Sequence, residues 1–388
     1  SVLVLGAGMV GTCTALHLQQ RGFAVTLVDR RSPGQETSWG NAGIIQREAV
    51  EPYAFPRDAG FVLSAALGRG AEVNWHAQGL WQMGPALLRY WHHSRPAAHA
   101  RATEAYSRLI AHSTSEHAAL VAAAGAQDLV AREGFRFAFR TPQAFDEAMQ
   151  RARLLESQFG VRHHAEDGAA LARAEPALRT RLAGAVHWLD PWTVNDPGAL
   201  VQRYADLFLA RGGRLLVGNA HSLETSGSGW SVLTHDGRVD AAQAVLALGP
   251  WAGDFMGLLG YRLPLFVKRG YHQHYQSPVR LRQALLDAER GYVLAPMRQG
   301  LRLTTGAEFA DIDAPPTPVQ LGRAETLARE LVDLGEPVPQ APWLGARPCT
   351  ADMLPVMGPA PQHKGLWFNF GHAHQGFTLG PVAGRLLA

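Results

Sequence analysis

The sequence is poor in cysteine, in charged residues and in long apolar runs. Its 388 residues include two cysteines, and 18% are charged, compared with roughly 25% in typical soluble domains. Cys13 and Cys349 form no C-x-x-C motif, which argues against a disulfide framework and favours a reducing compartment. No apolar run approaches the ~18 residues of a membrane span, and the opening SVLVLG indicates a strand rather than a signal peptide. We therefore expect a cytoplasmic location.

Long runs of lysine or arginine are also missing. The formal net charge of +3 is small, so we do not expect nucleic-acid binding. The 41 glycines are typical of a chain with many tight turns and close backbone approaches. A chain of 388 residues can bury a large core and form two domains.

A glycine motif lies in the N-terminal stretch SVLVLGAGMVGTCTALHLQQRGFAVTLVDRR. Residues 2–5 are apolar, as expected of a buried parallel strand, and Gly6, Gly8 and Gly11 follow with G-x-G-x-x-G spacing. In that order, such glycines permit a tight turn, a close approach of pyrophosphate to the backbone, and close packing of helix on strand. The helix N-terminus then offers N–H groups to the phosphates. Asp29 lies 18 residues after Gly11, near the spacing of about 20 for an acid that binds a ribose hydroxyl.

Two arginines directly follow this acid. Arg30 and Arg31 could indicate a 2′-phosphate and hence NADP, but Asp29 would repel that phosphate. The favoured interpretation places both arginines near the adenosine as solvated charges. No second G-x-G-x-x-G follows a strand, so electrons are expected from an organic substrate rather than from NAD(P)H.

The next segment, SPGQETSWGNAGIIQ, combines small and hydroxylated residues. Such residues let the backbone pass over a flat ring system and contact phosphate or ring oxygens, although an ordinary polar loop explains the segment equally well. Together with the glycine motif, it resembles the FAD-dependent D-amino-acid oxidase superfamily. That superfamily includes D-amino-acid dehydrogenase, glycine oxidase and sarcosine oxidase.

Further matches to this superfamily are spread along the chain. They are DPGALVQRYADLFLARGGRLLVGNAHSLE, AAQAVLALGPWA, GARPCTADMLPVMG and GHAHQGFTLGPVAG. The first predicts a helix with an Asp196 cap and Pro197 in its first turn. Within the superfamily, KRGYHQHY at 268–275 most resembles the D-amino-acid dehydrogenase branch.

The resemblance implies an α/β fold with a Rossmann-type FAD-binding domain of the glutathione-reductase kind. A second α+β substrate domain would be built on a mixed or antiparallel sheet. Because the motifs lie at both ends and in the middle, the FAD-binding domain is expected to be discontinuous, over 1–50, 150–260 and 342–388. The substrate domain would then comprise 51–149 and 261–341.

The same resemblance implies non-covalent FAD. Some relatives attach flavin through a cysteine, but Cys349 lies three residues before Asp352, closer than expected from sarcosine oxidase. The expected cofactor-binding residues are Gly6, Gly8, Met9, Val10, Gly11, Asp29, Arg30, Arg31, Thr37, Ser38, Asn41, Ala42, Gly43, Ile44, Ala220, Ala247, Leu248, Gly249, Trp251, Arg347, Gly371, His372, His374, Gln375, Gly376, Phe377 and Thr378.

The expected catalytic residues are Arg347, Tyr271, Tyr292 and His374. Arg347 in GARP matches the substrate-carboxylate arginine of glycine-oxidase-like members, and a guanidinium binds a carboxylate bidentately. A tyrosine hydroxyl can also bind a carboxylate, although core packing explains both tyrosines equally well. His272 and His274 would either line the pocket or lie on a solvated strand face.

The pair His372 and His374 would share one face of a strand, as in a metal site. Gly371 and Gly376 interrupt that strand, and no third ligand has a recognisable spacing, so we expect no metal. The helix after Gly376 is instead expected to start around Thr378, since Pro381 is compatible only with a position near the helix start. Its N-terminus would face the flavin.

The leading functional hypothesis is oxidative deamination of an amino acid, with a D-amino acid favoured. The alternatives are a glycine or secondary-amine oxidase that uses O2, a non-catalytic flavoprotein subunit of a larger complex, and a metalloenzyme. The acceptor, either a quinone of the respiratory chain or O2, is left open. The aromatic stretch Phe55–Trp91 is interpreted as a packed helical face, with a peripheral patch for the inner face of the cytoplasmic membrane as the alternative.

Overall fold

The computed structural model describes residues 1–66 and 73–388. The described helices are α1 (Met9–Gln20), α2 (Ala59–Ala66), α3 (Ala77–His93), α4 (Pro96–Ala111), α5 (Ser113–Ala123), α6 (Pro142–Phe159), α7 (Gly168–Ala174), α8 (Pro197–Ala210), α9 (Ala252–Leu258), α10 (Val319–Leu331) and α11 (Gly376–Leu387). The described strands are β1 (Val2–Leu5), β2 (Val25–Asp29), β3 (Ile44–Ile45), β4 (Val73–Trp75), β5 (Val130–Ala131), β6 (Phe135–Phe139), β7 (His163–Asp167), β8 (Gly184–Trp188), β9 (Trp192–Val194), β10 (Arg214–Ser226), β11 (Gly229–Thr234), β12 (Gly237–Ala241), β13 (Gln243–Leu246), β14 (Phe266–Gln276), β15 (Leu285–Asp287), β16 (Tyr292–Met297), β17 (Gly300–Thr304), β18 (Ala307–Phe309), β19 (Glu336–Pro337), β20 (Trp343–Cys349), β21 (Val356–Pro359) and β22 (Leu366–Phe370).

The first sheet has the strand order β12-β11-β10-β2-β1-β13-β22-β21. Its middle strands, from β10 to β22, pair in parallel, whereas β21 and the β11–β12 hairpin pair antiparallel. Val2 and Val4 of β1 pack in one core with α1 and α8, and Leu3 and Leu5 pack in another with β11 and α9. A strand buried on both faces is typical of a parallel sheet covered on each side. The predicted Rossmann-type half of the fold is confirmed.

The second sheet is mixed, with the order β4-β18-β14-β17-β16-β15-β6-β8-β7 and with β19 and β20 also paired to β14. Parallel pairs occur between β6 and β15 and between β4 and β18. Leu321 and Ala328 of α10 pack against Leu294 and Leu303 of the sheet. This arrangement confirms the expected α+β half built on a mixed sheet. A small third sheet has the order β3-β9-β5.

The pairing of strands can be compared with the predicted boundaries between the FAD-binding and substrate domains. Residues 163–188 fall in the segment 150–260 that the sequence assigns to the FAD-binding domain. They nevertheless supply two strands of the second sheet: β8 pairs with β6, and β7 pairs with β8. The domain boundaries therefore stay a prediction, and this pairing favours a boundary after β8.

Two helix starts show how the sequence sets local structure. Asp196 caps α8 by accepting a hydrogen bond from the Ala199 N–H at 3.0 Å, as predicted. Helix α11 begins at Gly376, two residues before the expected start, so that Pro381 lies in its second turn. Proline has no N–H to bond to the carbonyl four residues earlier. That carbonyl, on Phe377, instead accepts a hydrogen bond from Nε2 of the buried His117 at 3.0 Å.

Candidate active site

The glycine motif brings β1, α1 and the loop after β13 into very close contact. Gly6 has φ of +105°, and a Cβ on it would lie 2.4 Å from the Ala247 carbonyl oxygen. A Cβ on Gly11 would lie 1.8 Å from the Gly6 carbonyl oxygen. By contrast, a Cβ on Gly8 would lie 3.4 Å from Oγ of Ser38, an ordinary contact distance. Gly6 and Gly11 therefore permit the packing, and Gly8 leaves room for a ligand at the start of α1.

Asp29 lies at the end of β2, beside the glycine motif. Its carboxylate accepts hydrogen bonds from the Ala7 N–H at 2.6 Å and the Arg31 N–H at 3.0 Å. Arg30 and Arg31 both pair with Glu36, at 2.8 and 3.1 Å. This pairing offsets part of their charge and does not favour a 2′-phosphate site.

The loop after β2 is fixed by side chains within it and by neighbouring strands. Oγ of Ser38 accepts a hydrogen bond from the Met9 N–H at 3.0 Å, at the start of α1. Oδ1 of Asn41 accepts from the Gly43 N–H at 2.8 Å. Thr37 donates to the Ala346 carbonyl of β20 at 3.1 Å. The loop therefore links the glycine motif to the strand that carries Arg347.

A cavity of about 790 Å³ lies between the two large sheets. Its size suits a ligand larger than a single amino acid. Of the residues predicted for the site, the structure places these at the cavity: Gly6, Gly8, Met9, Val10, Asp29, Arg30, Thr37, Ser38, Asn41, Ala42, Ile44, Ala220, Ala247, Leu248, Gly249, Trp251, Tyr271, Arg347, Gly371, His372, His374, Gly376 and Phe377. The predicted residues outside this lining are Gly11, Arg31, Gly43, Tyr292, Gln375 and Thr378.

Arg347 of β20 extends across β14 to the cavity. A Cβ on Gly270 would lie 2.5 Å from its Nη2 atom, so the glycine makes room for the guanidinium. Nη1 donates to the carbonyls of Gly306 and Arg269, at 2.9 and 3.4 Å, and Nη2 donates to that of Thr305 at 3.3 Å. Within residues 1–66 and 73–388, Nε has no hydrogen-bond partner and the guanidinium has no carboxylate within ion-pair distance. The edge formed by Nε and Nη2 is therefore available to an anion.

The loop between β22 and α11 carries the histidine pair. Gly371 and Ala373 have φ of +78° and +49°, so the loop does not continue β22. Burial lowers the pKa of His372 to about 4. Burial, followed by the charges of Arg347 and Lys268, lowers the pKa of His374 well below its ordinary value. Both imidazoles are therefore neutral near pH 7, and no group of three potential metal ligands occurs in the part of the chain that the structure describes.

Gln375 and Thr378 lie behind the cavity wall and contact a residue that forms it. The side-chain amide of Gln375 donates to Oε1 of Gln46 at 2.7 Å. The backbone N–H of Gln46 donates to Oγ1 of Thr378 at 3.1 Å. Because Gln46 lines the cavity, these two residues position its wall through Gln46.

In the structure, neither of the two predicted tyrosines has a hydroxyl that is free to bind a substrate carboxylate. The Tyr271 hydroxyl contacts Oε2 of Glu308 at 3.1 Å and accepts from the Thr317 N–H at 2.7 Å. Tyr292 packs in the core of the second sheet, and it is its neighbour Val293 that lines the cavity. Successive residues of a strand point to opposite faces, which accounts for the position of Tyr292.

His272 and His274 are buried on β14 and do not lie on a solvated face. His272 stacks on Trp343 with ring centroids 4.9 Å apart, and Nε2 of His274 accepts from Nε of Arg302 at 3.0 Å. Neither histidine is among the described residues that line the cavity.

Among the cavity residues that were not predicted, three carry groups that can bind or position a substrate. Lys268 of β14 and Tyr90 of α3 meet at the cavity, where Nζ donates to the tyrosine hydroxyl at 3.1 Å. Tyr53 packs on His374 with ring centroids 4.5 Å apart. The signal for Lys268 was its place two residues before Gly270 in a strand. Nothing in the sequence indicated that the segment holding Tyr53 and the helix holding Tyr90 would reach the cavity.

The glycine motif at one end of the cavity and the mixed sheet closing the other fit an enzyme that binds a dinucleotide cofactor and a smaller substrate. The model of the FAD dependent oxidoreductase family (DAO) matches residues 1–388, and the chain belongs to this family. It is therefore an oxidoreductase with FAD as cofactor. The open approach at Gly8, the N-cap residue of α1, fits the phosphates of such a cofactor.

Curated relatives match the whole chain. The chain is 31% identical over 405 residues to a D-amino acid dehydrogenase of Paramagnetospirillum magneticum, covering 100% of this chain and 94% of the relative. It is 29% identical over 402 residues to a D-amino-acid oxidase of Bradyrhizobium diazoefficiens, with the same coverage. Among solved structures, glycine oxidase from Geobacillus kaustophilus has a TM-score of 0.75 at 21% identity, covering 100% of this chain and 92% of that chain. At this level of sequence identity, the similarity to glycine oxidase shows a shared fold alone.

Proposed function

We propose that the chain oxidises the bond between Cα and nitrogen of an amino acid, with D-amino acids as the leading class. The proposal rests on Arg347, a cation at the cavity with no carboxylate partner among the described residues. A charge held away from water is costly unless an opposite charge joins it. A substrate carboxylate would supply that charge along the edge formed by Nε and Nη2. The names of the two curated relatives support this class of substrate.

Bound FAD would supply the hydride acceptor, so that the amino acid becomes an imine, which water hydrolyses to a 2-oxo acid and ammonia. Arg347 would fix the orientation of Cα by holding the carboxylate. The neutral imidazole of His374 adds no positive charge near the substrate amine and can accept a hydrogen bond from it. The N-terminus of α11, where Gly376 and Phe377 line the cavity, adds partial positive charge that favours an anion beside it.

Anaerobic mixing of the holoenzyme with a panel of D-amino acids, L-amino acids, glycine and sarcosine tests this function. Bleaching of the flavin absorbance by one class identifies the substrate. Arg347→Met should lower kcat/KM for that substrate by on the order of 10²- to 10³-fold, because a buried charge pair loses one partner. Arg298→Met, at an exposed ion pair with Asp128, is the matched control.

Two results would contradict the proposal. The first is an unchanged KM for carboxylated substrates in an Arg347→Met enzyme that keeps its flavin spectrum. The second is the absence of bleaching by every amine, which would favour a non-catalytic subunit of a larger complex.

The electron acceptor is proposed to be a membrane quinone, because an apolar surface adjoins the cavity. Leu63 of α2 and Trp81 and Leu88 of α3 are 61%, 87% and 65% exposed. Val62 and Ala65 of α2 line the cavity. Exposed apolar and aromatic residues of this kind are typical of membrane-surface contact. Residues 67–72 of the predicted aromatic stretch lie outside the described residues, and no described helix is long and apolar enough to cross a bilayer.

A comparison of acceptors separates this proposal from an O2-dependent oxidase. We expect the holoenzyme to float with vesicles and to reduce their quinone. The double variant Trp81→Ser, Leu88→Ser should lose both properties and keep the reduction of a soluble dye. Faster turnover with O2 than with quinone, and equal flotation of both proteins, would favour the oxidase.

A further inference from the structure

Two cations of the cavity wall are neighbours on adjacent strands. Lys268 and Arg347 are directly paired residues of the antiparallel β14 and β20, and both line the cavity. Across residues 1–66 and 73–388, neither has a carboxylate within ion-pair distance. The next residue of β14 behaves differently, because Arg269 pairs with the buried Glu308 at 2.6 Å. The fold therefore neutralises the arginine on one face of β14 and leaves the lysine on the cavity face without an anion.

The surroundings of Lys268 make its charge unfavourable in the absence of a ligand. The residue is 5% exposed, and Nζ lies 4.4 Å from the ring centroid of Tyr90 and 5.8 Å from that of Phe309. Besides Tyr90, the charged and titratable groups around it are Arg347 and Cys349 of β20 and His374. Burial lowers the pKa of Lys268 to about 8, so the cation still predominates near pH 7. Of its three N–H donors, one is used by the Tyr90 hydroxyl.

Lysine at this position is notable in a chain so rich in arginine. The sequence contains two lysines, and the other is Lys364. Contact with aromatic faces stabilises a cation only in part, and it does not offset repulsion by a neighbouring guanidinium. A ligand with two negative charges would offset both cations at once.

We propose that Lys268 is a second anion-binding residue of the substrate pocket, and that the preferred substrate carries two carboxylates. Arg347 would hold the carboxylate next to Cα, and Lys268 would hold the one at the end of the side chain or N-substituent. The substrate class is then an acidic amino acid or a dicarboxylic amine. This inference rests on the proposed function, since it concerns the same pocket.

Isosteric substrates test the proposal during turnover. D-aspartate and D-asparagine, and likewise D-glutamate and D-glutamine, have nearly the same shape and differ in one charge. We expect kcat/KM to favour the acid of each pair by at least about tenfold, as for one charge-assisted contact. Lys268→Met should remove this preference between the acid and the amide of each pair. Lys268→Arg should keep part of the preference, and Lys364→Met, at the exposed second lysine, should keep all of it.

A binding assay tests the proposal without turnover. Succinate should shift the melting temperature of the wild-type holoenzyme, and perturb its flavin spectrum, at lower concentration than butyrate does. In Lys268→Met the two ligands should become equivalent. This comparison can be made on the wild-type protein alone if the variant does not fold.

Three results would overturn the proposal. In the first, the wild-type enzyme turns over an amide as well as the corresponding acid. In the second, butyrate binds as tightly as succinate. In the third, Lys268→Met loses activity equally on the acid and on the amide. The last result would indicate that the lysine acts on a group common to both substrates. These outcomes differ from failure of the proposed function, in which no amine bleaches the flavin.

Discussion

Glu48 is a buried acid behind the cavity wall, and its ionisation should govern how stability depends on pH. Burial, opposed by a hydrogen bond from the Gln46 side chain at 2.9 Å, raises the pKa of Glu48 from 4.5 to about 7. Its second oxygen has no hydrogen-bond partner among the described residues. Because Gln46 lines the cavity and also contacts Gln375, the carboxyl is coupled to the cavity wall.

The size and sign of the effect follow from this shift. The folded protein keeps a proton that the unfolded chain releases as the pH rises from 4.5 to about 7. The free energy of unfolding should therefore fall across that window and level off above it. At ~1.4 kcal/mol for each pKa unit, the loss amounts to about 3 kcal/mol.

Glu48→Gln keeps the shape and removes the titration, so the variant should gain about 3 kcal/mol on the wild type between pH 4.5 and 7.5. Denaturant unfolding of both holoenzymes at several pH values measures this difference. Glu147→Gln, on the exposed face of α6, controls for loss of a surface charge. Parallel pH profiles for wild type and Glu48→Gln would refute the reasoning.

Two further predictions concern the cofactor. Gly11→Ala should abolish flavin binding, because its Cβ would lie 1.8 Å from the Gly6 carbonyl oxygen; the ratio of flavin to protein absorbance after purification measures this. The matched control is Gly322→Ala, at an exposed position of α10 where an added Cβ meets no described atom within 4 Å outside its own helix. A fully yellow Gly11→Ala protein would contradict the prediction. FAD should be non-covalent, because Cys349 is buried and burial raises the pKa of its thiol. Acid precipitation should therefore release the flavin into the supernatant. If the flavin instead stayed in the wild-type pellet and was missing from the pellet of Cys349→Ala, it would be bound to Cys349 through a thioether.

The part of the fold that the sequence predicted best is the part that local physics determines. Gly6, Gly8 and Gly11 are required by contacts within one strand, one turn and one helix, so their spacing predicts the structure directly. The cap at Asp196 is equally local. By contrast, the start of α11 depends on His117, which is 260 residues from Phe377 in the chain. No pattern near Pro381 could show that a distant imidazole would satisfy the carbonyl that proline leaves free.

The substrate side of the site was predicted less well because it depends on strand register. In β16, Val293 faces the cavity and Tyr292 faces the core, and a shift of one residue would exchange them. A tyrosine is suitable for either environment, so its chemistry alone does not decide the face. For Arg347 the sequence prediction came from the resemblance of GARP to a family motif, and the structure places the residue at the cavity.

The same dependence on register explains why Lys268 was missed and why it matters. Lys268 and Arg269 are adjacent basic residues that the sequence alone does not distinguish, yet the strand separates them onto opposite faces. Arg269 meets Glu308, and the pair adds no net charge to the core. Lys268 meets Arg347 across the strand pair instead, so the cavity gains a second positive charge with no acid to offset it. The fold thus pairs Arg269 with an acid and leaves the charge of Lys268 facing the cavity. There, a negatively charged group of the substrate can pair with it.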